Sequence, residues 1–441
     1  MAASVVSTPV ISIFWFRRDL RIEDNHGLYE ALLHSAPVLC IFIFDKNILE
    51  GLTNKLDQRV EFIHSTLLDI DKELSSYGSS LLTFHDTPEN AFNTCIEKFN
   101  IQTVFTNHDY EPYAISRDEK VRDLLNEKGI PLLTFKDQVI FEKNEITKSD
   151  HSPYTIFTPY SKKWKEKYFN TPVQNYAVQE KLDNLFKIKN PRIPSLLELG
   201  FHASGRNSPS PQPDIEIIKH YHETRNLPFL RGTSRLSVHL RFGTVSIRQI
   251  VELAHRFNEQ WLNELIWREF FMMILFHFPR VVTESFKKKY DGIPWRNNEV
   301  EFKAWCLGET GYPLVDAGMR ELNETGFMHN RVRMVIASFL TKHLLIDWRW
   351  GEAYFADKLL DYELSSNNGN WQWAAGCGCD AAPYFRIFNP YEQAKKFDPD
   401  AKYIKNWIKN FKPGYIDPIV DHEFARKRAL EVYKKAVSEV K

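Results

Sequence analysis

Val10-Ile-Ser-Ile-Phe-Trp-Phe16 and Val38-Leu-Cys-Ile-Phe-Ile-Phe44 are short apolar runs rich in β-branched and aromatic residues. Ser80–Phe84, Thr103–Thr106 and Leu132–Phe135 repeat the type. Between such runs, Gln58–Ser75 and Ser116–Glu127 carry apolar residues at helical spacing. Strand–helix alternation of this kind predicts βαβ units and a parallel, doubly wound α/β sheet over residues 1–135. The region has no G-x-G-x-x-G and no G-x-x-x-x-G-K-[ST], so it lacks the usual phosphate-binding fingerprints. A ligand at the strand ends stays open.

Beyond the sheet the pattern changes. Residues 136–213 are poorer in periodicity and end in the turn-rich Ser208-Pro-Ser-Pro-Gln-Pro213, which reads as an interdomain connector. From 214 to 441 the pattern is helical: Ile247–Arg256, Leu262–Phe276, Leu314–Glu324 and Asn330–Leu345 repeat apolar residues at i, i+3, i+4. The expected organisation is an α/β domain, a connector and an all-α domain with its own core.

Composition bounds the function. The 441 residues are 43% hydrophobic and 26% charged, which excludes a disordered, collagenous or disulfide-scaffold chain. Lys+Arg and Asp+Glu both number 57, so a globally basic nucleic-acid binder is not supported, while a local basic patch stays possible. Five cysteines without regular spacing indicate a reducing compartment, and Cys377 and Cys379 read as packing residues, with no metal site expected. No stretch reaches the roughly 18 apolar residues needed to span a bilayer. The start of the chain has no basic residue before Arg17, so the expected location is the cytoplasm, without a signal peptide or a membrane.

Nine of the 11 tryptophans lie after residue 260: Trp261, Trp267, Trp295, Trp305, Trp348, Trp350, Trp371, Trp373 and Trp407. This is compatible with an aromatic helical core or with a stacking or electron-transfer site. Four stretches bear on the choice. Gly232-Thr-Ser-Arg-Leu-Ser-Val-His-Leu240 puts hydroxyls at the start of a helical run, where they suit helix capping or an anion. In Trp261-Leu-Asn-Glu-Leu-Ile-Trp-Arg-Glu-Phe270, Trp261, Glu264 and Trp267 share one helix face, as a pocket wall with a polar handle or an interface edge. In His329-Asn-Arg-Val-Arg-Met334, Asn330 and Met334 point the same way, offering an amide and a soft apolar surface. Asp361-Tyr-Glu-Leu-Ser-Ser-Asn-Asn-Gly-Asn-Trp-Gln-Trp373 combines acids, amides and two indoles that face opposite sides. After residue 390, 12 Lys+Arg stand against 8 Asp+Glu, an excess suited to a nucleic-acid backbone.

Taken in order, these stretches resemble the photolyase/cryptochrome family. The resemblance starts with Phe14-Trp-Phe-Arg-Arg-Asp-Leu-Arg-Ile-Glu-Asp-Asn25 and runs through Gly232–Ser237, Trp267-Arg-Glu-Phe270 and Thr310-Gly-Tyr-Pro-Leu-Val-Asp-Ala317. It continues with Asn330-Arg-Val-Arg-Met334, Asn367-Asn-Gly-Asn-Trp-Gln-Trp373 and Phe385-Arg-Ile-Phe-Asn-Pro390. It covers almost the whole chain and is nearest the microbial members that repair cyclobutane pyrimidine dimers. It implies an antenna domain joined to a helical domain holding FAD, active as FADH⁻, in a monomer that acts on DNA containing pyrimidine dimers. Under blue light the reduced flavin would give an electron to a flipped dimer, split it and recover the electron. By match to the family motifs, Tyr221, Thr233, Ser234, Arg235, Leu236, Ser237 and Trp261 should contact the FAD, chiefly at its diphosphate. Arg333, Asp361, Glu363 and Asn367 should surround the isoalloxazine, with Asn367 near N5 and Arg333 paired to Asp361. Trp267 and Trp373 should wall the lesion, Glu264 and Asn330 should bind its base edges, and Met334 should lie beneath. Arg225, Arg331 and Arg386 should clamp phosphates. Trp371, Trp348 and Trp295 match the family's electron-transfer chain.

Two positions depart from the pattern: Glu363 stands where the family often has aspartate, and Phe327 where some relatives have tryptophan. Glu111 resembles a folate-contacting acid, yet a folate, a deazaflavin, another flavin or no antenna all stay open. The competing readings are a (6-4) photolyase, a cryptochrome-type light receptor, and a helical nucleotide- or DNA-binding protein without photochemistry.

Overall fold

Five parallel strands, β1 (Val10–Phe16), β2 (Val38–Asp45), β3 (Leu82–Asp86), β4 (Asn100–Asn107) and β5 (Leu132–Phe135), form one sheet in the order β3-β2-β1-β4-β5 in a computed structural model of the chain. Residues 9–189, 191–412 and 414–439 are described, so the first eight residues, part of the apolar start, lie outside them. After its first residue β1 is buried throughout, and so is all of β2, which is why both read as continuous apolar runs rather than alternating ones. β3 starts two residues later than the pattern predicts. Ser80 Oγ (2.5 Å) and Leu81 N (2.8 Å) both donate to the Asp71 carboxylate, so this pair turns instead of joining the sheet.

The connecting helices are α1 (His26–Leu33), α2 (Lys46–Leu49), α3 (Gln58–Ser76), α4 (Pro88–Lys98) and α5 (Pro112–Asn126). Asn25, Asp45, Asp57 and Thr87 cap the first four with side-chain oxygens. α5 begins four residues before the expected Ser116, because Pro112 is preset for the first helical position.

By packing the chain divides into two units. The first comprises the residues up to Glu142, Tyr168–Pro211 and Leu236–Leu253; the second comprises Lys143–Lys167, Gln212–Arg235 and the chain from Ala254. This division does not follow boundaries drawn at 135 and 213. The reason for the return of residues 236–253 to the first unit is a buried four-charge cluster. Arg248 binds Asp24 through Nε (2.8 Å) and Asp137 through Nη2 (2.9 Å), and Arg21 binds Asp137 at 2.9 Å. Arg21 also donates to the carbonyl of Gly243 (3.0 Å), and Tyr176 N to Asp24 (2.8 Å). Gly243 has φ +68°, and a Cβ there would lie 2.2 Å from the Arg18 carbonyl oxygen, so only glycine fits.

The second unit is helical and includes α6 (Glu259–His277), α7 (Pro313–Thr325), α8 (Asn330–Ser338), α9 (Trp348–Lys358), α10 (Leu364–Ala375) and α11 (His422–Glu439). The single helix expected over 330–345 is broken: α8 stops at Ser338 and one π turn follows, Phe339–His343. Thr341 Oγ1 donates back to the Ala337 carbonyl (2.8 Å), which competes with the regular ladder. The Thr310–Asp316 motif is structural. Asp316 accepts from Thr310 N (2.8 Å), Thr310 Oγ1 (2.6 Å) and Gly311 N (3.0 Å), and also from the Tyr415 hydroxyl. Close helix approach depends on glycines: a Cβ at Gly369 would lie 2.2 Å from the Phe271 ring, and one at Gly351 2.1 Å from the Trp371 ring.

Among the described residues no helix is long and apolar enough to cross a membrane, and no three His, Cys, Asp or Glu side chains are grouped to hold a metal. All five cysteines are free. Burial pushes the thiols of Cys95, Cys306 and Cys377 up to about 12 and that of Cys379 up to about 11, and it raises Cys40 as well.

Arg248→Met leaves Asp24 and Asp137 short of a counter-ion and is expected to cost about 3–5 kcal/mol, read from urea unfolding. A cost below about 1 kcal/mol would contradict the role of the cluster. Burial alone would raise the Asp137 carboxyl, but Arg21 and Arg248 outweigh it and hold the group below the ordinary carboxylate range. Its stabilisation is therefore complete above about pH 4, the unfolded value, and disappears as pH falls through the folded value. Asp137→Asn should flatten that acid limb. Gly351→Ala should cost about 1–3 kcal/mol by overpacking, seen as a lower melting temperature with altered tryptophan fluorescence.

Candidate functional site

Within the second unit, α8, α9, α10 and the turn between the last two surround a cleft with about 600 Å³ of empty space, solvent included. Eight residues singled out from the sequence border it: Asn330, Arg333, Met334, Asp361, Glu363, Asn367, Trp371 and Trp373. Ala337, Phe355, Leu359 and Ala374 supply much of the apolar wall.

The polar groups of the cleft are fixed by neighbours. Arg333 Nη2 pairs with Asp361 at 3.0 Å, and its Nε donates to the Met328 carbonyl at 2.7 Å. The guanidinium therefore cannot swing without breaking both. Asn367 donates its Nδ2 to the carbonyl (3.1 Å) and the carboxylate (2.9 Å) of Glu352, which leaves its amide oxygen as the acceptor on offer. Burial pushes the Glu352 carboxyl up. The longer arm of Glu363, compared with an aspartate, is taken up by Arg268 (3.2 Å) and by Ser366 Oγ (2.8 Å). Trp371 is buried against Phe355 (4.9 Å between centroids) and Trp305 (6.2 Å), whereas Trp373 is half-buried. Both indoles reach the cleft, although their spacing predicts opposite faces.

The other predicted residues of this unit lie off the cleft lining. Glu264 is paired with Arg225 and accepts from Gln260 at 3.1 Å. Trp261 is buried on the same helix, its backbone N–H capped by Asn258. Trp267 stacks face to face on Phe157, with centroids 3.7 Å apart and 5° between planes. Arg331 donates to Asn226 (2.7 Å) and lies 4.3 Å over the Phe397 ring. Burial, and then the charges of Arg225 and Arg386, lower the pKa of Arg331, so each of those two guanidiniums is near enough to repel it. Arg386 is exposed. Trp348 is buried and Trp295 half-buried.

The Gly232–Leu240 stretch does not cap a helix with a hydroxyl: Leu236 occupies the cap of the short helix Ser237–Phe242, and no side chain bonds there. Arg235 takes φ +53° and lays its guanidinium 4.6 Å from the Phe327 ring. Thr233, Ser234 and Arg235 belong to the second unit, and Leu236 and Ser237 to the first. Tyr221 opens a four-residue helix under the Arg225 guanidinium.

His329 caps α8, accepting from Arg331 N at 3.1 Å through Nδ1. Burial, with Arg333, Arg331, Arg235 and Arg225, lowers it to about 4, so it is neutral at physiological pH. In the first unit, Glu111 precedes α5 at the β1/β4 strand ends and is paired with Arg18 (2.9 Å) and Arg241 (3.4 Å). Asp109 beside it is held down at about 2, since Arg18, Arg17, Arg117 and Arg241 outweigh the burial that would raise it. Sequence reading did not reach Glu352, Phe157 or Asn226, each of which sets a predicted residue from a distant or unremarkable position. An acid 15 residues before Asn367 carries no local signal.

Residues 12–178 match the family model described as DNA photolyase, and residues 261–413 match the FAD binding domain of DNA photolyase. The chain is 35% identical to a deoxyribodipyrimidine photo-lyase of Synechococcus over 97% of its length and 98% of the relative's. It superposes on a bacterial class III photolyase from Agrobacterium tumefaciens with TM-score 0.84 and 32% identity, covering 99% of both chains. An archaeal photolyase from Sulfolobus tokodaii, solved with two FAD molecules, gives TM-score 0.79 and 35% identity over 96% of this chain and 99% of that one. With both halves matched by the family's own models, and relatives aligned end to end, the chain belongs to the DNA photolyase family.

Proposed function

We propose that the protein is a light-driven DNA repair enzyme that uses FAD to split cyclobutane pyrimidine dimers, acting as a monomer in the cytoplasm. One observation carries the reading: the cleft sets the Arg333–Asp361 pair and the oriented amide of Asn367 among apolar walls that end in two tryptophans. That donor and acceptor set fits the polar edge of a flat heterocycle, and the walls fit its faces. Arg333, Asp361 and Asn367 would hold the flavin ring, with Tyr221, Thr233, Ser234 and Arg235 toward its phosphates. FAD held there would supply the photochemistry, reversible transfer of one electron to the dimer under blue light.

The chain's own residues position and shield. Asn367 keeps both amide hydrogens turned toward Glu352 and offers an acceptor oxygen to an N–H at the ring edge. Arg333 is paired with Asp361, so the two side chains balance each other within the cleft. Trp373 at the cleft and Trp267, braced by Phe157, form the walls for the flipped bases. Glu264, as a carboxylate, accepts from a pyrimidine N–H, Asn330 donates and accepts at the base edges, and Met334 packs beneath. Flipping costs least where stacking is already damaged, which favours a lesion over intact pairs. Arg225 and Arg386 each repel Arg331, and a DNA phosphate relieves the repulsion. Trp371 at the cleft, buried Trp348 and half-buried Trp295 form the path by which electrons reach the site from outside.

Purified protein with its flavin reduced, illuminated with blue light over DNA carrying one thymine cyclobutane dimer, should return intact thymines in the light and none in the dark. Bound FAD without dimer reversal would overturn the reading. Trp373→Ala should weaken binding to that DNA by about 1–3 kcal/mol, roughly 5- to 150-fold, measured by titration in the dark.

A further inference from the structure

Lys342 lies on the π turn after α8 and is 1% exposed. Its Nζ donates to the Ala375 carbonyl at 2.8 Å and stands 3.6 Å from the centroid of the Tyr433 ring. Of the described titratable groups around it, Cys377 alone acts on it appreciably by charge, and that thiol is protonated at neutral pH. Among the described residues no carboxylate pairs with this enclosed lysine, and burial lowers its pKa to about 7. Charged and neutral forms are therefore both populated near neutrality.

Tyr433 links this amine to the outer tryptophan. Its fully buried ring meets Trp295 edge-on at 5.9 Å, stacks on Tyr384 at 6.1 Å and touches Tyr290 at 6.3 Å. Burial pushes the Tyr433 hydroxyl well above its ordinary value, so that group stays protonated throughout. Two other ionisable groups near the pair are His343 and Arg349. His343, on the same turn, bonds His422 at 2.8 Å and is held at about 3 by burial, His422 and Arg428. Arg349 lies 4.7 Å over the Trp348 ring but is balanced by Asp347 (3.1 Å) and Asp291 (3.6 Å).

We propose that Lys342 tunes the outer end of the tryptophan chain: its ammonium, held against Tyr433, makes the Trp295–Tyr433 pair harder to oxidise, and its neutral amine makes it easier. The inference rests on the role of Trp295 given above. In the step concerned, Trp295 passes one electron inward to refill oxidised Trp348. The Trp295 left behind loses its indole proton to water and is restored by one electron, with a proton, from a thiol reductant in solution. A full positive charge one ring from Trp295 raises the cost of placing a second positive charge on it.

The test uses the FAD-loaded protein. A lysine signal in ¹⁵N-lysine NMR should titrate near pH 7 and be missing in Lys342→Met. Photoreduction in the presence of a thiol, taken as the ratio of wild type to Lys342→Met at each pH, should rise from roughly one tenth at pH 6 to about one at pH 8.5. That ratio cancels the thiol's own pH dependence. A flat ratio, or a Lys342 pKa above about 9 in the wild type, overturns the proposal, and the NMR arm needs no variant that folds. Trp295→Phe separates the two readings. If it abolishes photoreduction while the ratio stays flat, the electron chain stands and the lysine's part in it falls. If it leaves photoreduction intact, the chain itself is wrong.

Discussion

Arg21, Asp24, Asp137 and Arg248 carry two positive and two negative charges into a space where each is less than a tenth exposed. An ion moved there alone costs several kcal/mol, so the arrangement holds only when every charge finds its partner. The partners come from the turn after β1, the segment after β5 and the chain near residue 248. Residues 236–253 therefore return to the sheet unit after the chain has already entered the helical one. Leu236–Leu240 lie on that return, and Gly243 just beyond them accepts from Arg21 of the cluster.

The helical unit uses a different economy of contact. Its helices approach at glycines, and the residue each glycine admits is aromatic at two key places, Phe271 opposite Gly369 and Trp371 opposite Gly351. The cleft is what remains between helices held this close at one end. Its polar side chains are each oriented by a group outside it: Arg333 by the Met328 carbonyl, Asn367 by Glu352, and Glu363 by Arg268. This second layer pre-orders the site, so binding need not supply the cost of ordering it.

The sheet and most of the cleft lining were legible because they depend on local pattern. β1 and β2 are buried on both faces, and such strands read as plain apolar runs. Asn330, Met334 and Arg333 fall within five residues on one helix, and Asp361 to Trp373 within thirteen. What was not legible depends on contacts across long separations. The start of β3 is decided by Asp71, the break after Ser338 by a back-bonded Thr341, and the orientation of Trp267 by Phe157, which is 110 positions away. The helical period over 330–345 could not reveal a π turn, because one extra residue per turn barely disturbs an apolar repeat. Nor could the periodicity show that Lys342, a residue that usually marks a solvated face, points inward.

The five raised thiols bear on how the molecule can be handled. The thiolate is the form that reacts with electrophiles, and with a pKa of about 11 roughly one Cys379 thiol in ten thousand is ionised at neutral pH. Cys95, Cys306 and Cys377 are less reactive still. The native cysteines are thus a silent background. A single new cysteine on an exposed loop would be the one site that takes a maleimide dye or spin label quickly, with no need to strip the natural ones first.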